Sequence, residues 1–524
     1  MTGPDRRSTF IGALWHAASM LLPLISTVLL SSVIARVLGT DELGAQSLIA
    51  YLGSLVSGIV VTAATNCAVQ VMATAHGAGD GGRLAALSRL SGRMHLIGGV
   101  VAGFVLGAIG AFRDHPLAWV LIGLVVFVDA LGWSHGGRLV ARHGWRAVSP
   151  LRLASQFAAS LLGVGAVMLG LGLAGVFGAQ LLASAWLALM LRRRDVRARP
   201  SGDAAPAALA LRPLTKLWGL FILTVGLSEI VDKRVELVFL DAFRSAHEVA
   251  VYAVSFSLVT VGVTVPAAVA AASIPGIAAA ASASPDVLGA HLARAGRVAL
   301  LAGCLLAAGL AAVGPSAIVA FWGAGLDDAR AVVPWIALSV LFVPLPVLCS
   351  SYWTGVGHLA PVLVTTAAGA VVDLGAAAVL VPAWGVAGAV TANVAAQVVT
   401  CALIVGYTRR RVAPLGVPLP YAARFVGTAA LGGGAAWAVA RGLDVVSPLL
   451  GLVAGTVVFC VVVGGAGVLA GLVPGGDADW LAETLPAVAR PALVAVGGLR
   501  WARTRPAGPT TFPGDGVPAT GRLE

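Results

Sequence analysis

Five charged residues, Glu229, Asp232, Lys233, Arg234 and Glu236, interrupt an otherwise apolar stretch from Leu217 to Leu240. That stretch is long enough to cross a bilayer, and each charge facing lipid at mid-membrane would cost about 2.5–3.5 kcal/mol. The five therefore face protein or water. Positions 229, 232, 233 and 236 follow the i, i+3, i+4, i+7 spacing of one helical face, with Arg234 pointing elsewhere. One reading is a salt-bridge ladder, Glu229 to Lys233 and Lys233 to Glu236, that packs two bundles together. The other is a wet transport path, in which Lys233 and Arg234 draw a diphosphate while Glu229, Asp232 or Glu236 orients them or carries a coupling cation. A packing contact needs only Gly and Ala, so the expense of these charges favours the path.

Other polar residues stand alone in apolar segments. Asp129 and Asp373 are isolated carboxylates, each a potential proton or cation site. Asn66 and Gln70, four apart, define one polar helix face that either hydrogen-bonds a neighbouring helix or contacts sugar. Arg36 closes the first apolar segment, either snorkelling to the interface or meeting phosphate. His16 reads as a packed interhelical donor, and Gln156, Gln180, Asn393 and Gln397 are weaker candidates. There is no phosphate-cradling GxxxxGK[ST] loop and no metal-ligand spacing, so no cofactor, metal or catalytic residue is expected, and neither is transport driven by ATP within the chain.

The elements that must position these residues follow from composition. Hydrophobic residues make up 58% of the 524, charged residues 11%, and mean hydropathy is +0.93, values of a polytopic membrane protein rather than a soluble fold. The net charge of +11 arises from arginines at the ends of apolar segments, which excludes a nucleic-acid surface. The five cysteines sit in apolar segments and read as small packing residues. Apolar stretches and turn signals give about 14 transmembrane helices and an all-α fold: two pseudo-symmetric six-helix lobes plus two C-terminal helices. The expected segments are 1–199 for the first lobe, 200–216 for a linker, 217–411 for the second lobe, 412–474 for the added helices and 475–524 for a partly disordered tail. Alternate inter-helix segments and the two terminal segments together hold 27 of the 34 Lys and Arg, which places them in the cytoplasm. Prolines at 23, 266, 275, 344 and 346 permit kinks.

Internal repetition supports the two lobes. Gly172-Leu-Ala-Gly175 with Ala179-Gln180 recurs as Gly385-Val-Ala-Gly388 with Ala392-Asn393, and the segment from Gly44 matches that from Val249 more weakly. Equal orientation means a parallel repeat around a central cavity. Arg36-Val-Leu-Gly39-Thr-Asp-Glu-Leu-Gly44, then Gln46-Ser-Leu, Asp232-Lys233 before Val251-Tyr252-Ala253, and Gly385-Val-Ala-Gly388-Ala together resemble the polysaccharide exporters of the multidrug/oligosaccharidyl-lipid/polysaccharide superfamily. The resemblance spans about 10–473. It implies a bacterial plasma-membrane flippase moving polyprenyl-diphosphate-linked saccharides by alternating access, with a proton or Na⁺ as coupling ion, membrane lipids around it, and glycan polymerase and glycosyltransferases as pathway partners. The alternatives are a cation-coupled multidrug exporter of the same superfamily and a membrane glycosyltransferase or ligase. An exporter of organic cations should show an acidic, aromatic-lined cavity, and a ligase a large external loop.

Overall fold

The computed structural model describes residues 24–198, 211–231, 234–260, 262–264, 285–356, 358–412, 419–470 and 472. Among them every regular element is a helix. The first lobe comprises α1 (Leu24–Val37), α2 (Thr40–Gly77), α3 (Gly81–Gly110), α4 (Pro116–His143), α5 (Ser149–Met168) and α6 (Gly172–Arg197). The second comprises α7 (Leu211–Val231), the short α8 (Glu236–Phe243), α9 (Ala246–Thr264), α10 (Pro285–Trp322), α11 (Ala329–Leu341), α12 (Pro344–Gly355), α13 (Ala360–Trp384) and α14 (Val386–Arg411). Two more, α15 (Leu419–Asp444) and α16 (Pro448–Ala470), pack against α10.

Twelve helical stretches among the described residues are long and apolar enough to cross a membrane. Adding α1 and α15 reproduces the expected arrangement of two lobes and a C-terminal pair. The same pairings recur in both lobes: α3 packs on α4 as α10 packs on α11, and α5 on α6 as α13 on α14. Each repeated Gly-x-Ala-Gly motif forms the turn between the last two helices of its lobe. Gly172 and Gly385 adopt positive φ of 57° and 56°, and Gly385, with ψ of −130°, lies in a region that residues with a side chain rarely adopt. Three residues on, a Cβ at Gly175 or Gly388 would press into the preceding turn or helix end. The short sequence match thus marks the entry to the last helix of each lobe, with a positive-φ glycine at both.

Two elements differ from the sequence reading. The apolar stretch around 217–240 is not one helix: α7 ends at Val231, Arg234 and Val235 lie in a turn, and α8 starts at Glu236. Helical register does not carry from 229 to 236, so the four-residue stripe is not a single face. Asp232 and Lys233 lie outside the described residues, as do His16, Pro23, Pro266, Pro275 and the segment 475–524. Further along, the apolar stretch around 329–355 splits before Pro344, whose ring and missing N–H end one helix and open the next. The expected 200–216 linker also overlaps α7, which begins at Leu211.

The lobes meet closely at the end carrying Arg36. A Cβ on Gly44 of α2 would run into the backbone carbonyl of Ala246 at the start of α9, so only glycine permits this crossing. Arg36, at the end of α1, donates from Nε to the Phe321 carbonyl (2.9 Å) and from Nη2 to that of Ala320 (2.7 Å) at the end of α10. Arg113, after α3, pairs with Asp241 of α8. These two contacts are pseudo-symmetric, the first joining first-lobe α1 to α10 and the second joining first-lobe α3 to the α7–α8 segment. His247 completes the closed end, 3.3 Å from both Thr40 Oγ1 and Asp328 Oδ2.

Candidate functional site

Where α7 breaks, acidic and phenolic side chains converge from both lobes. Glu236 stands at the first turn of α8, where free N–H groups and the helix dipole favour a carboxylate. It faces Asp373 of α13, Tyr252 of α9 and Asn393 of α14, and Tyr51 of α2 approaches from the first lobe, within reach of Glu236, Glu229 and Asp373. Glu236 and Asp373 both have 0% exposure. Among the described residues, both oxygens of each carboxylate, Tyr51 Oη, Tyr252 Oη and Asn393 Nδ2 are buried without completing a well-formed hydrogen bond. Buried acceptors left this way are costly unless a further group enters.

The break itself is held in place. The Val231 carbonyl, which the interrupted helix leaves without an intrahelical donor, accepts from Gln397 Nε2 of α14 at 2.9 Å. Arg234 donates to Ser257 Oγ (3.1 Å) and stacks over Phe256, 5.3 Å from the ring centroid. It thus contacts α9 and stands near Glu236. Glu229 reaches across to α2, where a Cβ on Gly58 would lie 2.9 Å from its carboxyl carbon. Gly58 opens a π-helical turn, Gly58–Thr62, inside α2, a local widening that recurs at functional positions.

A second polar region lies wholly within the first lobe. Helices α1, α2, α4, α5 and α6 enclose a cavity of about 440 Å³ whose walls include Asn66, Asp129, Trp133, Trp145, Arg152, Gln156, Gln180 and Ser184. Asp129 hydrogen-bonds Ser184 and lies within Coulombic reach of Arg152, whose guanidinium sits 5.8 Å from the Trp133 ring centroid. The Trp133 and Trp145 rings are 6.3 Å apart.

The structure thus joins Glu236 to Asp373, and Asn66 to Asp129, but these are two sites. Gln70 is exposed and is not a wall of the cavity. Arg36 gives two of its five N–H donors to helix-end carbonyls and is exposed. Sequence reasoning missed Tyr51, Tyr252 and Arg152, and ranked Asn393 low. The available signal was scarcity: the chain has only five tyrosines, and two of them meet here.

With this geometry in hand, comparison is informative. No protein-family profile matches the sequence, and no characterised protein matches it by sequence. Solved structures do. The lipid II flippase MurJ in an inward closed conformation superposes with a TM-score of 0.65 over 86% of this chain and 97% of its own, at 12% identity. An inward-facing multidrug resistance MATE family transporter of the MOP superfamily gives 0.61 over 76% of this chain and 98% of its own, at 17% identity. A MATE structure in the straight conformation gives 0.59 over 77% and 95%, at 16% identity. The chain has the fold of the MATE and MurJ transporters. It is a multi-pass membrane protein whose two lobes flank a buried acidic cluster.

Proposed function

We propose that the protein is an alternating-access flippase for polyprenyl-diphosphate-linked saccharides, coupled to a proton or Na⁺ at Glu236 and Asp373. The observation that carries this reading is the pair of fully buried carboxylates facing each other at the junction of the lobes. Two such groups in an apolar interior repel unless a proton or cation stands between them, and Tyr252, Asn393 and Tyr51 supply further oxygen and amide ligands from three helices. Binding that ion draws α2, α8, α9, α13 and α14 together; releasing it lets the lobes part, which is the differential interaction alternating access needs. Asp129, on the other side of α2, is the second coupling candidate. Glu229 is a positioning residue for the widened turn of α2. The lipid-linked saccharide is favoured over an organic cation because the likeness to the lipid II flippase extends over more of the chain. In this reading the Arg36 end is the outer face, the arginine-rich end is cytoplasmic, and the plasma membrane of a bacterium houses both. A glycan polymerase and glycosyltransferases are the pathway partners.

The test is flipping in proteoliposomes of a fluorescent polyprenyl-diphosphate-linked disaccharide under imposed proton or Na⁺ gradients. Wild type should respond to one gradient, and Glu236→Gln or Asp373→Asn should lose that response, with flipping down tenfold or more. Movement of tetraphenylphosphonium but not of the lipid would replace the flippase by the exporter reading. Gradient-dependent flipping by both neutral variants would remove the coupling site.

A further inference from the structure

We propose that the first-lobe cavity is a subsite for one uncharged, hydroxylated sugar ring, an inference that rests on the flippase reading and specifies which part of the substrate this lobe recognises. Its volume of about 440 Å³ falls within the range of small-ligand sites. Among the described residues Asp129 and Arg152 are the only ionisable ones in its walls, so these described walls sum to zero formal charge. A diphosphate would find its one cation already answered by a carboxylate, and an organic cation would find its one carboxylate answered by a guanidinium. A sugar ring needs neither excess. It presents hydroxyls that donate and accept around its edge and a C–H face that lies on an indole. Asn66, Gln156 and Gln180 offer amides that do both, Trp133 offers the face, and Gln156 Oε1 is buried with no hydrogen-bond donor among the described residues. A ligand hydroxyl would supply the missing donor.

The full chain in nanodiscs should be probed by saturation-transfer NMR with cellobiose, its uronic-acid counterpart cellobiouronic acid, and tetraphenylphosphonium. Wild type should bind cellobiose in preference to the other two. Gln156→Leu combined with Gln180→Leu, which keeps side-chain volume, should weaken cellobiose about tenfold, the loss of two neutral hydrogen bonds. Asp129→Asn leaves Arg152 unopposed and should shift preference toward cellobiouronic acid several-fold, a gain that misfolded protein could not produce. Absence of cellobiose binding to wild type, tighter binding of tetraphenylphosphonium, or unchanged selectivity in Asp129→Asn would overturn the subsite. Flipping of the lipid-linked disaccharide by a protein that ignores cellobiose would remove the subsite and leave the flippase; cellobiose selectivity without flipping would do the reverse.

Discussion

Single residues in this protein are constrained by backbone shape as much as by charge. Gly172 and Gly385 occupy equivalent turns at nearly the same positive φ, yet their surroundings differ. A Cβ at Gly172 would meet open space, whereas at Gly385 it would strike the Glu248 carboxylate. Gly172→Ala should therefore lose only the left-handed strain, about 1 kcal/mol. Gly385→Ala should lose more, because its ψ of −130° lies outside the left-handed helical well and Glu248 must be displaced as well. Apparent melting temperatures of the two variants in one detergent check this, and an equal drop would show that the Glu248 contact carries no weight. The carboxylates follow the opposite logic. Glu236 and Asp373 are fully buried, where a neutral side chain would fold more cheaply.

At the scale of elements, the closed end depends on a few donors gripping helix termini. Arg36 places two N–H groups on the final carbonyls of α10, where the helix dipole favours a cation, and Arg113 pairs with Asp241 in the pseudo-symmetric position. Each contact is at least partly exposed and is worth on the order of 1 kcal/mol or less. Their joint removal should therefore shift the open fraction several-fold without unfolding either lobe. Spin labels at Asp114 and Ala324, in the two equivalent loops, allow the distance to be measured by double electron–electron resonance. In Arg36→Ala with Arg113→Ala, the population at longer distances should rise; an unchanged distribution would mean that the Gly44–Ala246 crossing alone holds this end shut.

The whole molecule carries its orientation in its arginines. Asp328 belongs to the closed end, its side chain 82% exposed, and Arg410 lies exposed at the opposite, arginine-rich end. In a Cys-free background, a membrane-impermeant thiol reagent added to intact cells should label Asp328→Cys and miss Arg410→Cys. Labelling of Arg410→Cys alone would invert the topology and the direction of transport with it. The labelling also separates closed-end contacts from cytoplasmic ones without reference to substrate.

Class, helix number and the existence of two lobes were legible from the sequence because hydropathy, arginine placement and turn glycines act locally: each is decided within some twenty residues of chain. That Glu236, Asp373 and Asp129 stand out from their apolar surroundings was legible for the same reason, since an ionisable group in an apolar helix is expensive wherever the helix packs. Which of them meet was not. Glu236 and Asp373 are separated by several helices and meet only because α8 and α13 pack at the lobe junction, while Tyr51 arrives from the other lobe. The helical face read through 229–236 failed because a turn at Arg234 and Val235 separates α7 from α8, and the last described turn of α7 is held from a distance, by Gln397 of α14 donating to the Val231 carbonyl. Arg36 was legible as a cation at a helix end, but its partner, the terminus of α10, is set by how the lobes close. Local periodicity fixes what a segment is; the contacts between segments far apart in the chain decide what its charges face.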